Sequence, residues 1–137
     1  MLVFTFTKPL ARGWFLTGPP QKKERQHKAI GPFTRYLKKI LSVVYKHKEE
    51  NRRVSDLFVK IPSKRDYPDY AAIVKNPIAL KPMKNKILEG KYKSVKDFEQ
   101  DMLLMADNAK LYNGADSFVY RDALKLLVSI IFYFYYA

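Results

Sequence analysis

Four stretches of the chain place apolar residues three and four positions apart, which is the pattern of amphipathic helices. The first runs from about Phe33 to Lys48, and a second, weaker one from Ile78 to Glu89. The third follows Ser94, and the fourth begins after the break from Gly114 to Ser117. No stretch alternates apolar and polar residues as a half-buried strand would. The pattern therefore predicts an all-α fold, a bundle of four helices.

The side chains at this spacing are the predicted bundle core. They are Phe33, Leu37, Ile40 and Val44 in the first helix, Val95, Phe98, Met102, Met105, Ala109 and Tyr112 in the third, and Tyr120, Leu124, Leu127, Ile131 and Phe134 in the fourth. Local signals mark the helix ends. Ser94 with Asp97 resembles a capping box, Pro82 fits only the first turn of the second helix, and Gly90 is expected to end that helix.

The segment from Asn51 to Ala79 lacks this periodicity and is interrupted by three prolines. One short helix, from Asp69 to Val74, is expected inside it. A connection this long within a small domain is uncommon, and such loops are often functional. The sequence thus predicts a long, functional loop between the first and second helices.

The chain divides into a lead and a domain. Residues 1–29 combine an apolar start, Gly/Pro punctuation and a charged run, so we expect a poorly ordered lead, with the domain at 30–137. The apolar start lacks the preceding basic segment of a secretory signal. The apolar run from Leu126 to Ala137 is too short to span a bilayer. We expect an intracellular protein with no membrane partner.

The net charge of the chain indicates which kinds of partner it would attract. The chain has 26 Lys and Arg against 13 Asp and Glu, a net charge of +13. Residues 1–50 carry most of this excess, whereas residues 94–122 are net acidic. Excess Lys and Arg attract polyanions such as DNA, and the acidic stretch is expected to favour a basic peptide. Cysteine is absent, which excludes disulfides and thiolate metal sites.

Asn113 stands directly after Tyr112, at the end of the third predicted helix. A carboxamide does not titrate, but it both donates and accepts hydrogen bonds. This favours recognition of an uncharged polar group over acid–base catalysis. The alternative is that Asn113 is only a helix C-terminal residue before Gly114.

Four motifs in order resemble the bromodomain family, the acetyl-lysine readers, over roughly residues 33–134. They are Phe58-Val59-Lys60-Ile61-Pro62, Tyr67-Pro68-Asp69-Tyr70, Asn76-Pro77-Ile78 and the stretch from Asn108 to Asn113. The sequences of these motifs are most similar to those of bromodomains in chromatin-remodelling proteins, polybromo in particular. The resemblance implies a left-handed four-helix bundle of bromodomain type with a long loop between the first and second helices.

The resemblance also implies roles for individual residues. Asn113 would donate to the acetyl carbonyl oxygen, and Tyr70 would hold a water that contacts the same oxygen. The pocket walls would be Phe58, Val59, Tyr67, Ile78, Tyr112 and Val119. The chain departs from the family at Ala71, where a second tyrosine is usual, at Pro82, and in its aromatic C-terminal tail.

The resemblance thus implies a non-catalytic, nuclear reader of acetylated histone peptides, without a cofactor, within a larger chromatin-remodelling complex. DNA is a further possible partner through the basic surface. The alternative is a basic nucleic-acid-binding helical module with a degenerate acetyl-lysine pocket. Independently of that alternative, Tyr67 and Tyr70 could only pack the loop onto the bundle, and Asn108 is expected to be a buried amide that ties the loop to the third helix. An enzyme is disfavoured, since no cysteine nucleophile, Gly-rich phosphate loop or paired His/carboxylate motif is present.

Overall fold

The computed structural model describes residues 29–136, and the elements below are those of that range. In chain order they are α1 (Pro32–Lys46), β1 (Lys48–Glu49), β2 (Arg52–Arg53), a 3₁₀ helix (Val54–Phe58), α2 (Tyr70–Ile73), α3 (Leu80–Leu88), α4 (Val95–Asn113) and α5 (Phe118–Tyr136). The four predicted long helices are α1, α3, α4 and α5, and the predicted short helix is α2. The predicted lead, residues 1–29, lies outside the described residues except for Ala29.

The core forms where the four long helices meet. Helix α4 packs along α5, and α1 packs against α3, α5 and the 3₁₀ helix. Each long helix contributes side chains with almost no exposed surface, including Leu37, Ile40, Val44, Leu80, Met83, Ile87, Phe98, Met102, Leu126 and Ile130. Burial of this apolar surface is the main stabilising contribution to the fold. The predicted core positions of α1 and α4 are largely confirmed, although Phe33 is partly exposed.

The predicted core face of α5 is partly wrong. Leu124 and Ile131 are 38% and 41% exposed, whereas Ala123, Leu126 and Ile130 are buried. Leu127 is buried as predicted, but the other buried apolar side chains lie one position before the predicted ones. The reason is that α5 is apolar almost all round in its second half, so more than one three-and-four pattern fits it. Packing against α4, α1 and the 3₁₀ helix decides which face is covered.

Local signals place the helix ends as predicted. The Ser94 hydroxyl accepts from the Asp97 backbone N–H, and the Asp97 carboxylate accepts from the Ser94 N–H, which completes the capping box of α4. At the end of α3, the Gly90 N–H donates to the Ile87 carbonyl and the Lys91 N–H to the Lys86 carbonyl. This is a Schellman motif, and Gly90 adopts the φ of +68° that it requires.

A short antiparallel ladder, which the sequence did not indicate, connects α1 to the 3₁₀ helix. Strand β1 pairs with β2, with Lys48 opposite Arg53 and Glu49 opposite Arg52. Glu50 turns the chain between them at a φ of +54°. Two-residue strands are too short to show alternation, which explains why the pattern missed them.

An ion pair fastens this ladder to α5. The Arg52 guanidinium donates to both carboxylate oxygens of Asp122, at 2.6 and 3.0 Å. Asp122 is buried, with 2% of its side chain exposed, and its other cationic neighbour is Lys125, which also bonds Glu49. The hydrogen bonds from Arg52 hold the pKa of Asp122 below its usual value, against the opposing effect of burial.

The long loop is held to the bundle by backbone and side-chain bonds. The Asn108 amide donates to the Asn76 carbonyl at 2.8 Å, which confirms that Asn108 ties the loop to α4. The Lys81 N–H donates to the Val59 carbonyl at 3.0 Å and fixes the loop at the start of α3. Within the described range, no helix combines the length and apolarity needed to cross a bilayer.

Candidate binding pocket

A cavity of about 120 Å³ opens where the long loop meets the end of α4 and the start of α5. It is lined by Leu57, Phe58, Lys60, Pro62, Tyr67, Tyr70, Ile78, Ala79, Met105, Ala109, Tyr112, Asn113 and Val119. Cofactor and drug-sized sites usually occupy about 300–1,000 Å³. This cavity instead has room for the end of one side chain.

Asn113 lies at the mouth of this cavity, as the last residue of α4. Its side-chain N–H donates to the Ala109 carbonyl at 3.1 Å, one helical turn earlier. Within residues 29–136 this is the one hydrogen bond of the Asn113 side chain, so its second N–H and its oxygen have no partner among those residues. The bond to Ala109 fixes the orientation of the amide.

Three tyrosines form one wall. The ring centroid of Tyr112 lies 4.9 Å from that of Tyr70 and 6.2 Å from that of Tyr67, both edge to face. The Tyr112 hydroxyl donates to the Asp69 carboxylate at 2.8 Å. That hydrogen bond, and to a lesser extent burial, raises the pKa of Tyr112, while burial alone raises the pKa of Tyr70. Both phenols therefore stay neutral and able to donate at physiological pH.

The rest of the cavity is mostly apolar. Phe58, Ala79, Met105 and Ala109 are buried side chains of the core that reach its inner wall. Ile78 and Val119 are half-buried. Among the lining residues the structure describes, Lys60 is the one that carries a charge, and it is exposed. A charged group entering the cavity would lose water and meet no carboxylate on the lining.

Seven of the eight predicted site residues line this one cavity. Val59 does not line it, and its role as a wall residue stays a prediction. Its side chain lies in a separate depression between α1 and α3, with Tyr45 and Lys84. Phe58, its neighbour in the chain, is buried at the end of the 3₁₀ helix and lines the cavity instead.

Sequence reasoning missed several lining residues, among them Ala109, Met105 and Ala79. A signal for two of them was present. Ala109 and Met105 precede Asn113 by four and eight positions in the same helix, so they share its face. By contrast, Ala71 is exposed and is not part of the lining. Pro82 lies in the first turn of α3, also outside the cavity.

The acidic stretch 94–122 is less available to a basic peptide than its charge suggested. Asp97 caps α4, Asp101 accepts from Tyr92 and Lys86, and Asp122 accepts from Arg52. These three carboxylates already have partners. The other three acidic side chains of this stretch are Glu99, Asp107 and Asp116. The predicted attraction of basic peptides to this stretch would therefore depend on half of its acidic residues.

The side chains that line this cavity are neutral, apart from the exposed Lys60. An apolar cavity with one oriented carboxamide and protonated phenols can hold a neutral polar group, but it holds no paired acid and base. Among residues 29–136 no cluster of three His, Cys, Asp or Glu side chains is placed to bind a metal ion. Fold and site together define a helical bundle with a small, mostly apolar cavity at one end.

Comparison with known proteins identifies the family. The family model for the bromodomain matches residues 37–125. The chain is 41% identical over 91 residues to "Chromatin structure-remodeling complex subunit rsc4" of Schizosaccharomyces pombe, and 36% identical over 90 residues to "ATP-dependent helicase brm" of Drosophila melanogaster. Each match covers 66% of this chain but only 17% and 6% of the relative.

Comparison with a solved structure also indicates the bromodomain fold. The human BAZ1A bromodomain superposes with a TM-score of 0.60 at 28% identity, covering 68% of this chain and 82% of that one. The chain belongs to the bromodomain family, whose fold is a left-handed four-helix bundle. The predicted fold class and the resemblance stated from the motifs are thereby confirmed.

Proposed function

We propose that this chain is a non-catalytic reader that binds acetylated lysine on histone tails, within a nuclear chromatin-remodelling complex that regulates transcription. The observation that carries the proposal is the Asn113 amide, oriented by Ala109 at the mouth of an apolar cavity. Family membership supports reading of acetyl-lysine, and the names of the relatives support the chromatin setting.

The cavity would select acetyl-lysine by desolvation. An unmodified lysine carries an ammonium, which loses hydration in an apolar cavity unless a carboxylate compensates. Acetylation removes the charge and leaves a flat amide that needs one donor. Asn113 would supply that donor, and Tyr70 would hold a water that bridges to the same acetyl oxygen. Phe58, Tyr67, Ile78, Tyr112 and Val119 would enclose the methylene chain and the acetyl methyl group.

The affinity for one acetyl-lysine should be modest. A single hydrogen bond contributes about 1 kcal/mol net, and the cavity encloses only the end of a side chain. Strong attachment to chromatin then needs further contacts from other modules of the same assembly. The relatives, of which this chain spans a small part, have room for such modules.

The alternative, a nucleic-acid-binding module with a degenerate pocket, predicts a cavity closed by its own side chains. The cavity here is open and reaches Asn113, which favours the reader. A DNA contact on a different surface is compatible with it.

The test is a titration of the full chain with histone-tail peptides that are identical except for acetylation at one lysine. We expect the acetylated peptide to bind and the unmodified one to bind at least about 10-fold more weakly, a difference of 1.4 kcal/mol. Asn113→Asp keeps the shape but removes both N–H donors, and should abolish the preference. Gln100→Ala, an exposed change on the same helix, is the control and should leave it intact. Equal affinity for both peptides would refute the proposal.

A further inference from the structure

Helix α5 has a second apolar face, which points away from the core. Five of its apolar side chains have exposed fractions between 38% and 77%. An α-helix turns about 100° per residue, so the five fall within one arc of about 100°, the width of a face that normally packs against another element. We call these residues the α5 outer stripe: Leu124, Val128, Ile131, Phe132 and Tyr135.

Charged side chains leave this stripe uninterrupted. From residue 126 to residue 136 the helix contains no Asp, Glu, Lys or Arg. Of the charged residues before that point, Lys125 is bonded to Glu49 and Asp122 is buried beneath Arg52. The stripe is therefore a continuous apolar surface, and monomeric proteins rarely leave one of this size in contact with water.

An open groove of about 650 Å³ follows one side of the stripe, between α1 and α5. Leu124, Val128 and Phe132 form its α5 side, and Val43 and His47 form its α1 side. The groove gives the stripe a concave margin beside its projecting rings. A surface with both features can receive the rings of a second, identical surface.

We propose that two copies of this chain form a dimer through the α5 outer stripe, with their α5 helices antiparallel about a two-fold axis. The seam consists of residues spaced four, three and four positions apart, namely Leu124, Val128, Ile131 and Tyr135. This spacing is that of paired helices, and it is the same in both chain directions. An antiparallel copy therefore places its Tyr135 against Leu124 and its Ile131 against Val128. A two-fold interface requires a self-complementary surface of this kind.

Charge favours the antiparallel arrangement over the parallel one. A parallel pair would bring the two exposed Arg121 guanidiniums side by side, in a chain whose net charge is already +13. In the antiparallel pair they lie about 25 Å apart along the helices. That distance exceeds the screening length of about 8 Å at physiological salt, so the two copies do not repel each other at the seam.

The exposed area is sufficient for a specific interface. A buried aromatic side chain removes about 150–250 Å² from water, and on this scale the stripe offers about 550 Å² on each copy. Tyr136, whose ring stacks on that of Phe132 with centroids 5.0 Å apart, extends the patch to about 700 Å². Specific interfaces bury about 600–1,000 Å² from each partner, and their centres are enriched in Phe and Tyr.

The dimer leaves the acetyl-lysine pocket open. None of the stripe residues lines the cavity at Asn113. Val119, the α5 residue that does line it, would lie about 30 Å along the helices from its counterpart in the second copy. The inference does not depend on the proposed function, because dimerisation needs no acetylated peptide.

The first test is sedimentation equilibrium of the full chain over a range of micromolar concentrations. We expect the unmodified chain to dimerise. Val128→Glu places a charge at the centre of the seam and should raise the dimer dissociation constant at least about 10-fold. Leu111→Glu, an equally exposed change on α4, is the matched control and should leave the constant unchanged. The helical circular dichroism of Val128→Glu should equal that of the unmodified chain, which checks that the variant is folded.

The second test determines the direction of pairing by disulfide cross-linking. The chain has no cysteine, so an introduced cysteine has no native thiol to react with. Leu124→Cys and Tyr135→Cys chains should cross-link when mixed and oxidised. Neither should cross-link alone, because in the antiparallel pair equivalent positions lie about 16 Å apart along the helices, too far for a disulfide.

A chain that stays monomeric at every concentration would overturn the proposal. So would an equal effect of Val128→Glu and Leu111→Glu, which would show a general effect of charge, or cross-linking of Leu124→Cys alone, which would show parallel pairing. A monomer that sediments with phosphatidylcholine vesicles would show that lipid covers the stripe instead. An intrachain cross-link in a monomer carrying both Phe4→Cys and Leu124→Cys would show that the chain's own apolar start covers it. Either result would also overturn the dimer.

Discussion

The Tyr112 hydroxyl donates a hydrogen bond to the Asp69 carboxylate, 2.8 Å away, and so joins the end of α4 to the start of α2. The two residues are 43 positions apart in the chain. The same tyrosine ring lies 4.9 Å from the ring of Tyr70. One contact therefore fixes both the aromatic wall of the pocket and the loop that carries Tyr70.

Removing this hydroxyl should loosen the pocket without unfolding the domain. Tyr112→Phe keeps the ring and its edge-to-face contacts but leaves Asp69 without its donor. Because the bond is exposed, we expect acetyl-peptide affinity to fall only about 2- to 5-fold, with little change in stability. Titration with the acetylated peptide measures this. Tyr36→Phe is the control, because the ring of Tyr36 in α1 lies near that of Tyr133. If Tyr112→Phe lost as much acetyl-peptide affinity as Asn113→Asp, the Tyr112 hydroxyl would not act only by holding the loop.

Replacing Asn108 should lower the free energy of unfolding more than removing the Tyr112 hydroxyl does. It is 6% exposed, and its amide donates to the Asn76 carbonyl. Asn108→Ala leaves that carbonyl without its partner, which typically costs about 1–3 kcal/mol. Urea denaturation should show that decrease in the free energy of unfolding, and acetyl-peptide affinity should fall because the loop is released. Gln100→Ala, exposed on the same helix, should do neither. An unchanged unfolding midpoint for Asn108→Ala would show that the loop is held by other contacts.

The Arg52–Asp122 pair predicts a pH-dependent stability. Arg52 lowers the pKa of Asp122 in the folded chain, so folding favours the ionised carboxylate. This stabilisation is complete above the unfolded pKa of about 3.9 and is lost as the pH falls through the lower folded pKa. Asp122→Asn should therefore decrease the free energy of unfolding by about 1–3 kcal/mol at pH 7.

The difference between the two chains should shrink below about pH 4. Urea denaturation of both at pH 7, 5, 4 and 3 measures it. Asp107→Asn, which removes an exposed carboxylate, is the control and should show a small difference at every pH. If the Asp122→Asn difference stayed constant down to pH 3, the ionised pair would not be its cause.

Replacing Gly90 should destabilise the fold because of its backbone conformation alone, without a steric clash. Its φ is +68°, and a Cβ built there has no atom within 4 Å. Gly90→Ala should therefore cost about 1 kcal/mol from the left-handed conformation itself. Gly90→Asn should cost less, since asparagine tolerates that conformation better. Thermal unfolding of the two variants gives the comparison, and equal costs would point to something other than φ.

Local sequence was sufficient for the helices and their ends. The three-and-four spacing marks a helix whatever it packs against, and the capping box at Ser94 involves residues only three positions apart. The same holds for Gly90, because the turn after α3 needs a positive φ. The motifs around Tyr70 and Asn113 also indicated which residues would meet, although they are far apart in the chain.

Packing decided the rest. Helix α5 is apolar on several sides, so its sequence allowed more than one buried face, and packing in the bundle buried Ala123, Leu126 and Ile130. Val59 and Phe58 are both apolar neighbours, yet only Phe58 reaches the pocket. The burial of Asp122 depends on Arg52, 70 positions earlier. Spacing along a chain determines which residues share a helix face. Which face packs against which partner depends on the energy of the assembled bundle, because the contacts involved join residues far apart in the chain.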